Sequence, residues 1–271
     1  MNPVPLRRLL GIDFFSGPLE VAVAHVVKDR GPQSGTTDEA RGLVVAPSAP
    51  GLAIDLVRSP SYREALMTAD LVLTDSGFMV LLWFLYTGEW LPRHSGLKFL
   101  RAVLDRSELK RPHAVFWVMP STQEDEHNRA WLRAQGFPVV ADDVYVAPHY
   151  PAGAISDDEL LRRIEERQPR IVILAIGGGV QERVGLMLRN RLNGRPAILC
   201  LGAAIAFLTG SQASIPPWAD RLMLGLFLRF LSNPRKFWRR YKEGIQLAPL
   251  LWKHRHRLPP LKDNVANPQS G

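Results

Sequence analysis

Ala69-Asp70-Leu71-Val72-Leu73-Thr74-Asp75-Ser76-Gly77 is the stretch that decides how this chain is to be read. Leu71, Val72 and Leu73 form a short apolar run with strand character. Thr74 to Gly77 breaks it with small polar residues and a glycine, and Phe78–Tyr86 follows as an almost wholly apolar segment. That order predicts a buried strand, a tight turn carrying one carboxylate, and a helix that is buried or touches lipid. In open α/β sheets ligands gather just beyond the carboxyl ends of the strands, and Asp75 stands at such an end. Local sequence fits two roles for it. One is a turn-former or helix N-cap. The other is a general base, a carboxylate in an apolar setting that accepts a hydroxyl proton.

The same alternation runs outward in both directions. Strands are expected at Leu9–Phe15, Gly42–Ala46, Leu71–Asp75, Ala114–Met119, Phe137–Ala141, Ile171–Ile176 and Ala197–Leu201. Helices are expected at Leu19–Lys28, Ala53–Ala65, Phe78–Tyr86, Gly96–Leu104, from Ser121-Thr122 to Gln135, at Asp157–Arg167 with Ser156 as cap, and at Val180–Leu192. Strands alternating with helices imply an α/β fold, a Rossmann-like parallel sheet flanked by helices. The expected organisation is an α/β domain over 1–215, a basic helical appendage over 216–258 and a disordered tail over 259–271.

Of the 271 residues, 46% are hydrophobic, enough for a sizeable core. The single cysteine, Cys200, lies in an apolar run and offers neither an intrachain disulfide nor a zinc pattern, which favours a reducing compartment. Met1–Phe15 does not read as a signal peptide. No apolar run approaches the roughly 20 residues a spanning helix needs. The expected location is therefore the cytoplasm.

The net charge of +8 is local. Arg229–Arg257 holds nine Lys or Arg and one acidic residue, Glu243, and taking these from totals of 34 and 26 leaves 25 basic and 25 acidic residues elsewhere. Within that segment Arg235-Lys236-Phe237-Trp238-Arg239-Arg240-Tyr241-Lys242 interleaves aromatics with cations. Such a helix suits an anionic membrane surface, with nucleic acid as the competing partner and a docked, solvated helix as the plainest alternative. Ile245–Trp252 adds a second apolar piece and favours the membrane over nucleic acid.

Gly177-Gly178-Gly179 after the Ile171–Ile176 strand would let a phosphate approach the next helix N-terminus. It matches neither the Walker pattern nor the dinucleotide fingerprint, so a tight strand-to-helix turn without a ligand is the alternative. Gln181 and Glu182 follow directly, placed to hydrogen-bond a nucleotide or sugar, or in Glu182's case to complement the helix dipole. The seven histidines form no ligand pattern and there is no Asp-x-Asp pair, so neither a metal nor any other cofactor is expected.

Taken together, these stretches resemble the WecG/TagA/CpsF glycosyltransferases, glycosyltransferase family 26, from Leu9 to about Tyr241. Leu10-Gly11-Ile12 looks like that family's first strand. Ala69–Gly77 is similar to its Ala-Asp-hydrophobic-Pro-Asp-Gly segment. Arg93 to Gly96 resembles its Arg-x-x-Gly turn, and Gly177 to Glu182 its Gly-x-Pro-x-Gln-Glu motif. Gly202 to Gly210 is similar to Gly-Ala-x-Phe-Asp-Phe-x-x-Gly, and Leu224–Tyr241 to the family's arginine-rich ending. Where the family has asparagine, glycine, proline, an acidic residue and Glu-Trp, this chain has Ser48, Ser76, Gly179, Ala206 and Phe227-Leu228.

The resemblance implies inverting, metal-independent transfer of an N-acetylmannosamine-type sugar from a UDP donor to a polyprenyl-diphosphate-linked sugar in cell-surface polysaccharide biosynthesis. It implies Asp75 as base and Arg93 positioning phosphate or sugar. Thr74 and Ser48 belong to the substrate site, and Gly177, Gly178, Gln181 and Glu182 line the donor pocket. Arg235, Arg239 and Arg240 close over the diphosphates. Copies of the chain can associate, with the apolar Phe78–Tyr86 helix as a contact. The alternatives are a non-catalytic scaffold that binds sugar nucleotide or lipid carrier, and a nucleic-acid-binding α/β protein.

Overall fold

The computed structural model describes residues 5–27, 42–193, 196–211, 238 and 242–262. An eight-stranded sheet organises them, in the order β1-β2-β4-β3-β8-β7-β5-β6. The strands are β1 (Leu6–Leu9), β2 (Ile12–Phe15), β3 (Leu43–Val45), β4 (Leu71–Val72), β5 (Val115–Met119), β6 (Val144–Val146), β7 (Ile171–Leu174) and β8 (Ala197–Cys200). Every pairing is parallel except β1 with β2. The register runs through Phe14↔Val72, Val44↔Leu71, Val44↔Leu199, Val172↔Ile198 and Phe116↔Val172. The inner strands are buried on both faces, which is why their sequences read as continuous apolar runs rather than alternating ones.

The helices are α1 (Leu19–Val27), α2 (Leu56–Arg58), α3 (Pro60–Thr68), α4 (Gly77–Thr87), α5 (Gly96–Leu104), α6 (Thr122–Ala134), α7 (Asp158–Arg167), α8 (Val180–Arg191), α9 (Ala204–Leu208) and α10 (Leu247–His254). One apolar cluster joins α3, α4, α7, α8 and α10 to a face of the sheet through residues such as Leu66, Trp83, Leu160, Leu188 and Leu251. The other joins α1, α5, α6 and α9 to the opposite face through Val23, Phe99, Leu132 and Ile205. Two layers of helix on one sheet is the doubly wound architecture that the alternation predicts.

Four local readings differ from expectation. Leu9–Phe15 is not one strand but the end of β1, a turn at Leu10-Gly11 and β2. Both turn residues have positive φ, 50° and 76°, the conformation a two-residue hairpin requires. Ala53–Ala65 is not one helix. A π-helical turn at Gly51–Asp55 leads into α2, and Ser59, extended before Pro60, breaks the chain and caps α3 by accepting from Tyr62 N–H. The strand expected at Phe137–Ala141 lies later, at Val144–Val146, paired with β5. Asp157, not Ser156, caps α7, its Oδ1 accepting from Leu160 N–H at 3.0 Å.

The C-terminal segment is tied to the domain. Leu247 and Leu251 of α10 are fully buried against α4 and the π-helical turn. Leu10 and Gly11 donate their N–H groups to the carbonyls of Arg255 and His256. Arg63 donates to the Pro259 carbonyl at 2.6 Å and Lys262 N–H to Val57 at 2.8 Å. Of the apolar piece expected at Ile245–Trp252, Leu247 and Leu251 join the core and Ala248 and Leu250 pack at its margin, while Ile245 and Trp252 stay 45% and 57% exposed.

Candidate active site

The carboxyl ends of β3, β4, β7 and β8 open on one edge of the sheet, and the elements that follow them converge there. The stretch after β4 carries Asp75. Ser76 Oγ accepts from Met79 N–H and caps α4, so the capping role falls to the residue after Asp75 and leaves the Asp75 side chain for another contact. Asp75 Oδ1 accepts the Gly96 N–H at 2.8 Å, at the start of α5. Arg93 Nε donates back to the Asp75 carbonyl at 3.1 Å. Thr74 is buried: its hydroxyl donates to the Pro92 carbonyl at 2.5 Å and accepts His94 N–H at 3.0 Å. Four bonds therefore join residues 74–75 to residues 92–96, and they hold Asp75 and Arg93, both half-buried, side by side.

His94 was not anticipated as a site residue, although it lies inside the Arg93–Gly96 turn. It is buried, bonded through Nε2 to the Gly17 carbonyl at 2.7 Å and tilted against Phe15. Burial holds its pKa below the usual imidazole range, only partly offset by the Gly17 carbonyl. Gly96 is buried too. A Cβ there would meet Ala46, the Leu201 carbonyl and Asp75 at 3.5 to 3.8 Å, so its bare face looks to where the ends of β3, β4 and β8 meet.

The second wall follows β7. Gly177 and Gly178 are exposed, and a Cβ on Gly178 would lie 3.7 Å from Ser48 Oγ. Ser48, half-buried beyond β3, accepts the Gly51 N–H at 3.3 Å. Gly179 starts α8 with φ +86°. Gln181 and Glu182 sit at the predicted place but are only 3% and 1% exposed. Gln181 Oε1 accepts the Gly202 N–H at 2.6 Å, while its Nε2 donates to Glu182 Oε1 at 3.1 Å. Glu182 Oε2 accepts the Gly179 N–H at 2.7 Å. The pair therefore clamps the turns after β7 and β8 to each other. Burial pushes the Glu182 carboxyl up to about 7, against the pull of those hydrogen bonds.

Arg235, Arg239 and Arg240 lie outside the described residues, so their relation to this edge is not part of the geometry. Glu243 and Gly244, just after them, are described. A Cβ on Gly244 would touch Ala49 and Pro50, the loop that carries Ser48. Among the described residues no group of three or more His, Cys, Asp or Glu is placed to hold a metal ion. Among them, too, no helix is long and apolar enough to cross a membrane.

A sequence model described as "Glycosyl transferase WecG/TagA/CpsF family" matches residues 7–260. The chain belongs to that family. It is thus a glycosyltransferase. A curated relative from Bacillus spizizenii, N-acetylglucosaminyldiphosphoundecaprenol N-acetyl-beta-D-mannosaminyltransferase, is 23% identical over 260 residues. The match covers 94% of this chain and 92% of the relative. The family span reaches past α10, so the docked C-terminal segment falls within the family match.

Proposed function

We propose that this chain transfers an N-acetylhexosamine-type sugar, of the N-acetylmannosamine kind, from a UDP donor to a polyprenyl-diphosphate-linked sugar. The relative's name gives that sugar and that type of acceptor. The observation that carries the reading is the pairing of Asp75 with Arg93 at the mouth of the sheet, locked by hydrogen bonds from both sides. Asp75 takes the proton of the acceptor hydroxyl as its oxygen attacks the anomeric carbon. The carbon–oxygen bond to the diphosphate breaks and the electron pair leaves with UDP. Attack opposite the leaving group inverts the anomeric centre.

The donor's diphosphate rests on the exposed glycines, Gly177 and Gly178, at the positive end of α8. Ser48 faces it across the cleft, and Gln181 and Glu182 serve the pocket from behind by fixing its two turns. Thr74 does the same for the base loop. Arg93, with Arg235, Arg239 and Arg240, meets the charge that grows on the leaving diphosphate, so the chemistry needs no metal. The acceptor's lipid places the enzyme on the cytoplasmic membrane face, reached through the basic C-terminal segment.

The test is a transfer assay with a panel of UDP-sugars and a short lipid-diphosphate acceptor. Wild type is expected to turn over, and Asp75→Asn, whose amide oxygen can still accept from Gly96, to lose about 10²–10⁴-fold in rate. Full transfer by Asp75→Asn would remove Asp75 as the base. Sugar-nucleotide binding without turnover by wild type would favour the scaffold alternative.

A further inference from the structure

Asp55 is the last residue of the π-helical turn Gly51–Asp55, a form that often marks functional positions. It has helical φ and ψ where that turn runs on into α2, and its side chain makes no capping hydrogen bond there. Its carboxylate instead lies beside the glycine turn. A Cβ on Gly179 would be 2.8 Å from Asp55 Oδ2 and 3.3 Å from its Cγ. Gly179 thus leaves a space that any other residue would fill, and a half-buried carboxylate occupies it, next to the start of α8.

The surroundings do not account for that carboxylate structurally. Arg183, one turn into α8, favours its charge, but the Arg183 guanidinium is bonded to the carbonyls of Gly179, Pro151 and Gly153. Glu243 disfavours the charge, Arg58 favours it weakly, and Asp55 in turn raises Glu182. The Tyr62 hydroxyl, buried against Gly51 at the start of the same π-helical turn, senses the charges of Glu182 and Asp55 and has no hydrogen-bond partner among the described residues.

A carboxylate accepts hydrogen bonds and donates none once ionised. It repels a phosphate, so whatever part of a nucleotide-sugar lies against it carries hydroxyl groups. We infer that Asp55 is a specificity-determining residue of the donor site, accepting a hydrogen bond from a donor hydroxyl, with Gly179 providing the room. This rests on the proposed donor position at Gly177–Gly179. The hydroxyl belongs either to the ribose or to the transferred sugar.

Titration calorimetry at pH 7.5 tests it with UDP, 2′-deoxy-UDP, 3′-deoxy-UDP and the UDP derivatives of N-acetylglucosamine and N-acetylmannosamine. Asp55→Asn and Asp55→Ala are expected to weaken the hydroxyl-bearing ligand about 10- to 100-fold, the range of a charge-assisted bond. Loss shared by UDP and the UDP-sugars but absent for one deoxy-UDP assigns the ribose. Loss confined to a UDP-sugar assigns the sugar.

The ratio of wild-type to Asp55→Asn affinity should also shrink toward one between pH 7.5 and 5, because burial pushes the Asp55 carboxyl up to about 6. Because Asp55 itself raises Glu182, the same ratio is also taken in a Glu182→Gln background, where of the two only Asp55 titrates in this window. Unchanged affinities in both variants, with wild type binding normally, would overturn the inference alone. Wild type binding none of these ligands would overturn the donor position as well. A melting temperature of Asp55→Asn well below wild type at pH 8 would show that the carboxylate holds the turn, and would also overturn it.

Discussion

Asp75 Oδ1 and the Gly96 N–H, 21 residues apart in sequence, are joined at 2.8 Å, so the carboxylate at the end of β4 is aimed by the first residue of α5. The bond also fixes what surrounds the base. The Cα of Gly96 faces the ends of three strands with nothing on it.

Gly96→Ala is expected to keep the fold, because its Cβ would meet neighbours only at ordinary contact distance and alanine favours a helix by about 0.5–1 kcal/mol. Gly96→Val puts two further carbons into the cleft. Overpacking this buried position should cost the valine variant about 1–3 kcal/mol, while its transfer rate, measured where the variant is still folded, drops at least tenfold. A wild-type rate in the folded variant would mean that position 96 serves packing only.

Gly179→Ala is expected to cost about 1–2 kcal/mol in urea unfolding, from φ +86° and from the collision with Asp55. In the double variant with Asp55→Ala the collision goes and the φ strain stays. The double-mutant cycle should then show a coupling of roughly 0.5–1 kcal/mol. Strict additivity would mean that the two residues do not share that space.

His94 gives the loop a pH dependence of definite sign. It is a base whose folded pKa is lowered, so the unfolded chain binds the extra proton first. Its contribution is complete above the unfolded value near 6.5 and is lost as pH falls toward the folded value. Glu182 and Asp55, pushed up by burial to about 7 and about 6, act with the opposite sign over the same window, so the His94 share is read as a difference: from pH 7 to 5 the wild-type melting temperature should fall relative to that of His94→Gln, which still donates to the Gly17 carbonyl. An unchanged slope in the variant would assign the pH dependence elsewhere.

Much of the scaffold was readable because parallel strands buried on both faces leave unbroken apolar runs such as Ile171–Leu174 and Ala197–Cys200. The readings that missed depend on what a local pattern does not encode. Leu10 takes a positive φ, uncommon for leucine, so Leu6–Phe15 hid a hairpin whose turn is held by the Arg255 and His256 carbonyls, almost 250 residues away. The places of Gln181 and Glu182 were readable, but their inward direction follows from Gly202 and Gly179 N–H groups that only the fold brings near. Asp55 carried no signal at all: it sat in what read as one helix, and only the π-helical turn and the bare Gly179 set it apart.

The docking of α10 changes how membrane binding has to be measured. Truncation before Asn233 would remove Leu247 and Leu251 from the core, and Leu251→Ala alone should cost about 2–5 kcal/mol. Loss of liposome binding in a truncated chain would then report unfolding. Substitutions at exposed aromatics avoid this. Trp252 stacks edge-on against Tyr86 under the Arg255 guanidinium, Trp90 meets Phe84 in the same way, and Trp238 is 59% exposed. Trp238→Ala and Trp252→Ala should leave the melting temperature within a few degrees of wild type. Each should weaken sedimentation with anionic vesicles, and added salt should weaken it further if the basic residues around them contribute. If both variants bind vesicles as wild type does, these tryptophans do not carry the enzyme to the membrane, and wild-type binding that salt leaves unchanged would remove the basic side chains as well.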